Sequence, residues 1–120
     1  NPYLAHKGLD AAADWLVDNG YTEGYATFWN GNAMTELTNG KLDVWTLQSL
    51  DEDYVPNWLQ RKDHLTTDPQ HPFLLIDTET DGPAESAGLV QNGECTEVYN
   101  DGRFVIYDFA GADAVHAAAK

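Results

Sequence analysis

The sequence predicts an α/β domain, a three-layer sandwich around a small, mostly parallel sheet that ends in a β-hairpin. Three observations predict it. Strand-like and helix-like runs alternate along most of the chain, which is the order that βαβ crossovers require. Phe73-Leu74-Leu75-Ile76 is an unbroken apolar run between Pro72 and Asp77, the pattern of a strand covered on both faces. Asn100-Asp101-Gly102 separates two strand-like runs, Cys95–Tyr99 and Arg103–Phe109, and Asp-Gly at such a junction signals a hairpin.

The elements follow in order. Leu9, Ala12, Ala13, Leu16 and Val17 recur at helical spacing, so a helix is expected from Leu9 to Asn19. Gly20 stands where a helix closes in the left-handed conformation. Tyr25–Trp29 has strand composition. Asn30-Gly31-Asn32 reads as a capping signal, because short amide side chains accept from free N–H groups at a helix start. A short helix from Ala33 to Leu37 is then expected, closed by Asn39-Gly40, with a second strand over Leu42–Leu47. Asp51-Glu52-Asp53 predicts the acidic start of a third helix, with Pro56 in its first turn and Trp58, Leu59 and Leu65 turned inward. Phe73–Ile76 is the third strand, and Ala84–Leu89 a short helix before the hairpin. The sheet is expected to be Rossmann-like. Residues 1–109 form one domain in this reading, and the Ala-rich stretch 110–120 an irregular tail.

Charge narrows the partners. Twenty acidic residues against six basic ones give a net charge of -14, which repels phosphate backbones and anionic lipid surfaces. No nucleic acid partner is expected. Solubility accounts for the acidity, and a salt-rich surrounding that screens self-repulsion is the sharper alternative. The single cysteine, Cys95, leaves no internal disulfide and no Cys-rich metal site, and reads as a small core residue. There is no apolar run of about 18 residues, the signature of a membrane span. The chain begins at Asn1 rather than Met, which predicts a piece of a longer protein.

Candidate chemistry sits where strands end. In open α/β sheets, ligands bind beyond the carboxyl ends of the strands. Trp29, Asn30 and Asn32 fall there, with a ring to stack on a sugar face and helix-start N–H groups to hold a hydroxyl or an anion. A buried Trp and an ordinary cap would account for the same residues. Asp77-Thr78-Glu79-Thr80-Asp81-Gly82 comes after the third strand and resembles part of a calcium loop. The closing Glu is absent, since the residue eleven on from Asp77 is Gly88, and a solvated acidic turn explains it more simply. His6, His64, His71 and His116 lack metal-ligand spacing, although His64 and His71 flank one loop. Ser49 and Ser86 lack a nucleophile-elbow context, and no phosphate-binding Gly-rich fingerprint occurs. No catalytic residue, metal or cofactor is assigned.

The segment Gly24–Val44 carries a family resemblance. It begins Gly24-Tyr25-Ala26-Thr27-Phe28-Trp29-Asn30-Gly31-Asn32 and continues through Thr35-Glu36-Leu37 and Asn39-Gly40-Lys41-Leu42-Asp43-Val44. This resembles a stretch in the C-terminal soluble domains of large bacterial multi-pass membrane proteins, described as glycosyltransferases of the polyprenyl-phosphate-sugar type. Asn19-Gly20-Tyr21 and Tyr107-Asp108-Phe109 fit the same pattern, and Gly31 stands where the pattern usually has Ala. That change is expected to loosen the turn and to cost helix stability.

The resemblance implies an extracytoplasmic accessory domain of an integral membrane protein, facing outward from a bacterial cell membrane. The transmembrane part of its own parent chain would be its partner and would carry the catalytic carboxylate. Glycan or lipid-linked sugar would contact the crevice at Trp29, Asn30, Asn32, Asp77 and Glu79. Two other classes stay open: a stand-alone metal-assisted hydrolase using Asp77, Glu79 and Asp81, and a structural protein-interaction domain.

Overall fold

The computed structural model describes residues 8–47, 71–111 and 113–114. The expected third helix with Trp58, Leu59 and Leu65, together with His6, His64, His116 and Ser49, lies outside the described residues, as does most of the expected tail.

The described chain is a mixed α/β fold. Helix α1 (Leu9–Asp18) leads into strand β1 (Glu23–Thr27), helix α2 (Phe28–Leu37) and strand β2 (Asp43–Leu47). Strand β3 (Phe73–Asp77) is followed by a 3-10 turn (Ala84–Ser86), helix α3 (Gly88–Asn92) and the hairpin of β4 (Cys95–Asn100) and β5 (Phe104–Phe109). The five strands form one sheet in the order β2-β1-β3-β5-β4. Strand β1 is parallel to β2 and β3, whereas β5 is antiparallel to β3 and β4. The sheet is therefore parallel at one end and antiparallel at the other. The hairpin is not an appendage: β5 inserts beside β3 and extends the same sheet.

Pleating sorts the apolar residues by face, since successive side chains of a strand point opposite ways. Tyr25, Trp45, Leu74, Ile76, Val105 and Tyr107 gather on one face with Ala84, Ala87 and Leu89. Ala26, Val44, Phe73, Leu75, Phe104 and Ile106 gather on the other. There they meet Leu9, Ala12, Ala13 and Leu16 of α1 and Met34 of α2. Every residue of β3 is buried, as its unbroken apolar run requires. The outer strand β4 is largely exposed and carries an irregularity between Glu97 and Tyr99, a common protection for a sheet edge.

Two helix ends form as their residues dictate. After α1, the Tyr21 N–H bonds the Leu16 carbonyl and the Gly20 N–H bonds Val17, with Gly20 at φ 84°. After α2, Gly40 N–H bonds Thr35 and Asn39 N–H bonds Glu36, with Asn39 at φ 57°. Both are Schellman closures, which satisfy carbonyls that a helix end would leave open.

The start of α2 corrects the sequence reading. Asn30-Gly31-Asn32 does not cap the helix but lies inside it, and Phe28 and Trp29 are helical rather than extended. Pairing explains the early start. The ladder from β1 to β3 is registered only at Gly24 and Tyr25, and the ladder to β2 ends at Thr27. Among the described residues no strand pairs with the backbone beyond Thr27, and strand propensity at Phe28 and Trp29 gives way to the helix.

Gly31 also has a role the sequence did not suggest. A Cβ there would stand 2.8 Å from Thr46 Cγ2 and 3.1 Å from Val44 Cγ1. The glycine lets α2 lie close on β2, rather than loosening a turn. Gly24 is tighter still: an added Cβ would sit 2.4 Å from the Phe73 ring, which crosses its strand partner at that point.

Candidate functional site

The carboxyl ends of β1 and β3 lie side by side, and one hydrogen bond joins the segments beyond them. Thr27 is the N-cap of α2 with extended backbone, φ -68° and ψ 164°. Its hydroxyl is not spent on the helix but donates to Asp81 Oδ1 at 3.0 Å. The other Asp81 oxygen accepts the Asp77 N–H at 3.0 Å. The β1–α2 corner and the loop after β3 are thereby tied together.

Asp77, the last residue of β3, is 1% exposed. A buried carboxylate needs a charged partner, and Arg103 supplies it from the hairpin turn. Arg103 Nε reaches Asp77 Oδ1 at 2.9 Å and Nη2 reaches Oδ2 at 2.9 Å. Arg103 Nε also lies 2.7 Å from Glu79 Oε2, and the guanidinium carbon sits 4.9 Å from the centre of the Phe104 ring. The Glu79 N–H donates back to Asp77 Oδ1 at 3.0 Å. Thr78 completes the clamp: its N–H and its hydroxyl both donate to the Arg103 carbonyl, at 2.9 and 2.8 Å.

The two aspartates are driven in opposite directions. Burial alone would raise the Asp77 carboxyl, but the Arg103 hydrogen bonds, the Glu79 N–H and the guanidinium charge outweigh it and hold it below the ordinary carboxylate range. Burial raises the Asp81 carboxyl, and the hydrogen bonds from Asp77 N–H and Thr27 only partly offset it.

The predicted residues therefore differ in what they can do. Asp77 is enclosed and paired with Arg103, and it organises the loop. Glu79 is exposed and rests against Arg103. Asn30 is buried within α2 at 3% exposure, Asn32 is exposed, and Trp29 belongs to the first turn of α2. Among the described residues, no three His, Cys, Asp or Glu side chains are grouped so as to hold a metal ion. Ser86 donates its hydroxyl to the Pro83 carbonyl at 2.8 Å, within its own turn. Cys95 is half-buried, and burial pushes its thiol up.

Arg103 and Thr27 were missed as site-forming residues, and Asp81 was named only for the metal-assisted alternative. The signal lay in the hairpin register. Asp77 pairs with Phe104, which brings the residue before Phe104 beside a strand-end carboxylate. That register follows only once β5 is known to lie against β3.

A second polar cluster occupies the opposite end of the sheet. Tyr21, just before β1, donates its hydroxyl to Asp108 Oδ2. His71, just before β3, sets Nε2 2.9 Å from Asp108 Oδ1. Burial raises the Tyr21 phenol to about 12, and the hydrogen bond and charge of Asp108 add to the effect. Beside this cluster opens a depression of about 190 Å³ lined by Asn19, Gly20, Tyr21, Thr22, Glu23 and His71.

The fold and the tied strand ends define a small mixed α/β domain. No protein-family model, no curated protein and no solved structure matches the chain.

Proposed function

We propose that the chain is a non-catalytic accessory domain on the extracytoplasmic face of a bacterial cell membrane, belonging to a multi-pass protein of the glycosyltransferase-like kind. It docks on the transmembrane part of its own parent chain and contacts glycan or lipid-linked sugar at the corner formed by Thr27–Asn32 and Thr78–Asp81. Its finer architecture in this reading is a three-layer, Rossmann-like sandwich. The helices α1 and α2 against one face and the segment Ala84–Leu89 against the other support that arrangement.

One observation carries the non-catalytic reading: the ionisable groups at the strand ends are used up on one another. Asp77 is held by Arg103, and Asp81 by Thr27 and a backbone N–H. General acid–base work needs a group free to reach a substrate proton, and these carboxylates instead brace a loop. The resemblance of Gly24–Val44 supports the location. Charge supports a neutral or cationic partner over nucleic acid.

The metal-assisted hydrolase reading finds little support, because its Asp77 is paired with a guanidinium. The protein-interaction reading finds little either. Leu37, 53% exposed, is the large apolar side chain that stands out among the described residues, and one leucine is no patch.

The test is a transfer assay with the purified chain and a polyprenyl-phosphate-sugar donor. No turnover is expected, and detectable turnover defeats the proposal. A parallel melting series with calcium, magnesium and manganese should leave the melting temperature unchanged. A rise would favour the hydrolase reading instead.

A further inference from the structure

We infer that the depression between Asn19–Glu23 and His71 is a binding site for a neutral, hydroxylated six-membered ring, a pyranose or a cyclic polyol. It lies at the amino-terminal ends of β1 and β3, across the sheet from the Thr27–Asp81 corner, and the inference rests on this cavity and not on membrane attachment.

The first ground is a fixed imidazole. Asp108 accepts at both oxygens, from the Tyr21 hydroxyl and from His71 Nε2. A carboxylate can only accept, so His71 Nε2 is the donor, and whenever the ring is neutral Nδ1 is its acceptor. The ring is oriented twice, by Asp108 and by an edge-on contact with Tyr21 at 5.8 Å. It remains 63% exposed at the rim of the depression. An imidazole so oriented and still open offers a preset acceptor to a ligand hydroxyl.

The second ground is an aromatic ring in the lining. Trp15 stacks on Tyr21 at 5.9 Å with 26° between the planes, and Tyr99 flanks Trp15 at 5.5 Å. Tyr21 is half-buried and brings its phenol ring to the cavity lining, held there by its contact with Trp15. Ring C–H groups of a pyranose pack on such a phenol while its hydroxyls meet the rim.

The lining selects the class. Asn19 and Thr22 carry an amide and a hydroxyl, which both donate and accept, as hydroxyl groups need. Glu23 at the rim and the overall charge of -14 oppose an anion. About 190 Å³ is less than the ~300 Å³ at which drug-sized pockets begin, and suits one ring rather than a chain of them.

The experiment is an amide and indole NMR titration of the 120-residue chain with methyl glucoside, N-acetylglucosamine, glucuronate and choline. Saturable shifts at Asn19–Glu23, His71 and the Trp15 indole are expected with the neutral sugars, in the millimolar range. His71→Gln should weaken that binding about tenfold with an unchanged circular dichroism spectrum, since the side chain is exposed. Absence of shifts with either neutral sugar overturns the inference. So does preference for glucuronate or choline, and so does undiminished binding by His71→Gln. Shifts confined to Thr27–Asn32 and Thr78–Asp81 overturn it too, while supporting the sugar-contacting corner proposed above.

Discussion

Arg103 binds Asp77 through two nitrogens, Nε to Oδ1 and Nη2 to Oδ2, each at 2.9 Å. This pair joins the end of β3 to the turn of the hairpin, and the loop that closes the strand-end corner is built on it. Removing one partner leaves the other charge buried alone, which typically costs about 3–5 kcal/mol. Arg103→Met should therefore destabilise the chain by roughly 3 kcal/mol in urea unfolding. Combining it with Asp77→Asn should cost less than the sum of the two single changes. Strict additivity would contradict the pairing.

The same pair sets an acid limb. The folded Asp77 value lies below its unfolded one, so its contribution is full above about pH 3.9 and is lost as pH falls through the folded value. In Arg103→Met the pull that lowers Asp77 is gone. The loss of melting temperature on acidification below about pH 4 should shrink relative to the parent protein.

Asp81 works with the opposite sign. Its folded value is raised, so its contribution is full below the unfolded value and declines as pH rises through the folded one. Asp81→Asn should remove that decline from the pH–stability profile. A Thr27→Val change should also uncouple the β1–α2 corner from the β3 loop, read as faster amide exchange at Asp81 and Asp77, because the 3.0 Å tie is lost.

Tyr21 governs the alkaline limb. Its phenol shifts from 10.0 to about 12, so its contribution is full below about pH 10 and is lost as pH rises toward 12. Ultraviolet titration should find Tyr21 among the late-ionising tyrosines, with Tyr99 and Tyr107 also raised, and Tyr21→Phe should remove one phenol from that late step. A single uniform tyrosine titration would contradict the Asp108 bond.

Gly31→Ala decides between two effects. Alanine favours a helix interior by about 1 kcal/mol over glycine. Here its Cβ would meet the stiff, β-branched Thr46 at 2.8 Å, and overpacking of that kind costs about 1–3 kcal/mol. Net destabilisation is expected in thermal unfolding, and a more stable variant would show that α2 does not sit closely on β2. Gly24→Ala should be worse, because its Cβ would lie 2.4 Å from a ring held in the core.

Local signals in the sequence carried much of this structure. The helix expected over Leu9–Asn19 and found over Leu9–Asp18, the Gly20 and Asn39-Gly40 closures, the buried Phe73–Ile76 run and the Asp101-Gly102 turn all follow from spacing and turn chemistry. What failed needed knowledge of neighbours. Phe28 and Trp29 look extended by composition but pair with no strand among the described residues. The antiparallel place of β5 beside β3 is a long-range choice that periodicity does not encode. The candidate corner was legible as a location, because Thr27–Asn32 and Asp77–Asp81 both stand at strand ends. Its chemistry was not, because Arg103 reaches Asp77 across 26 residues of chain. The Tyr21–Asp108–His71 cluster was hidden in the same way, its members being scattered at the starts and ends of three strands.

The role proposed for this domain is to assist, from outside the membrane, chemistry carried out by the rest of a longer chain. The most direct measurement is fractionation of the source cells with an antibody against the chain, followed by protease treatment of intact spheroplasts. A band much larger than 120 residues in the membrane pellet, whose epitope the protease removes, is the predicted result. A species of about the size of this chain in the soluble fraction, protected until the cells are lysed, would contradict it.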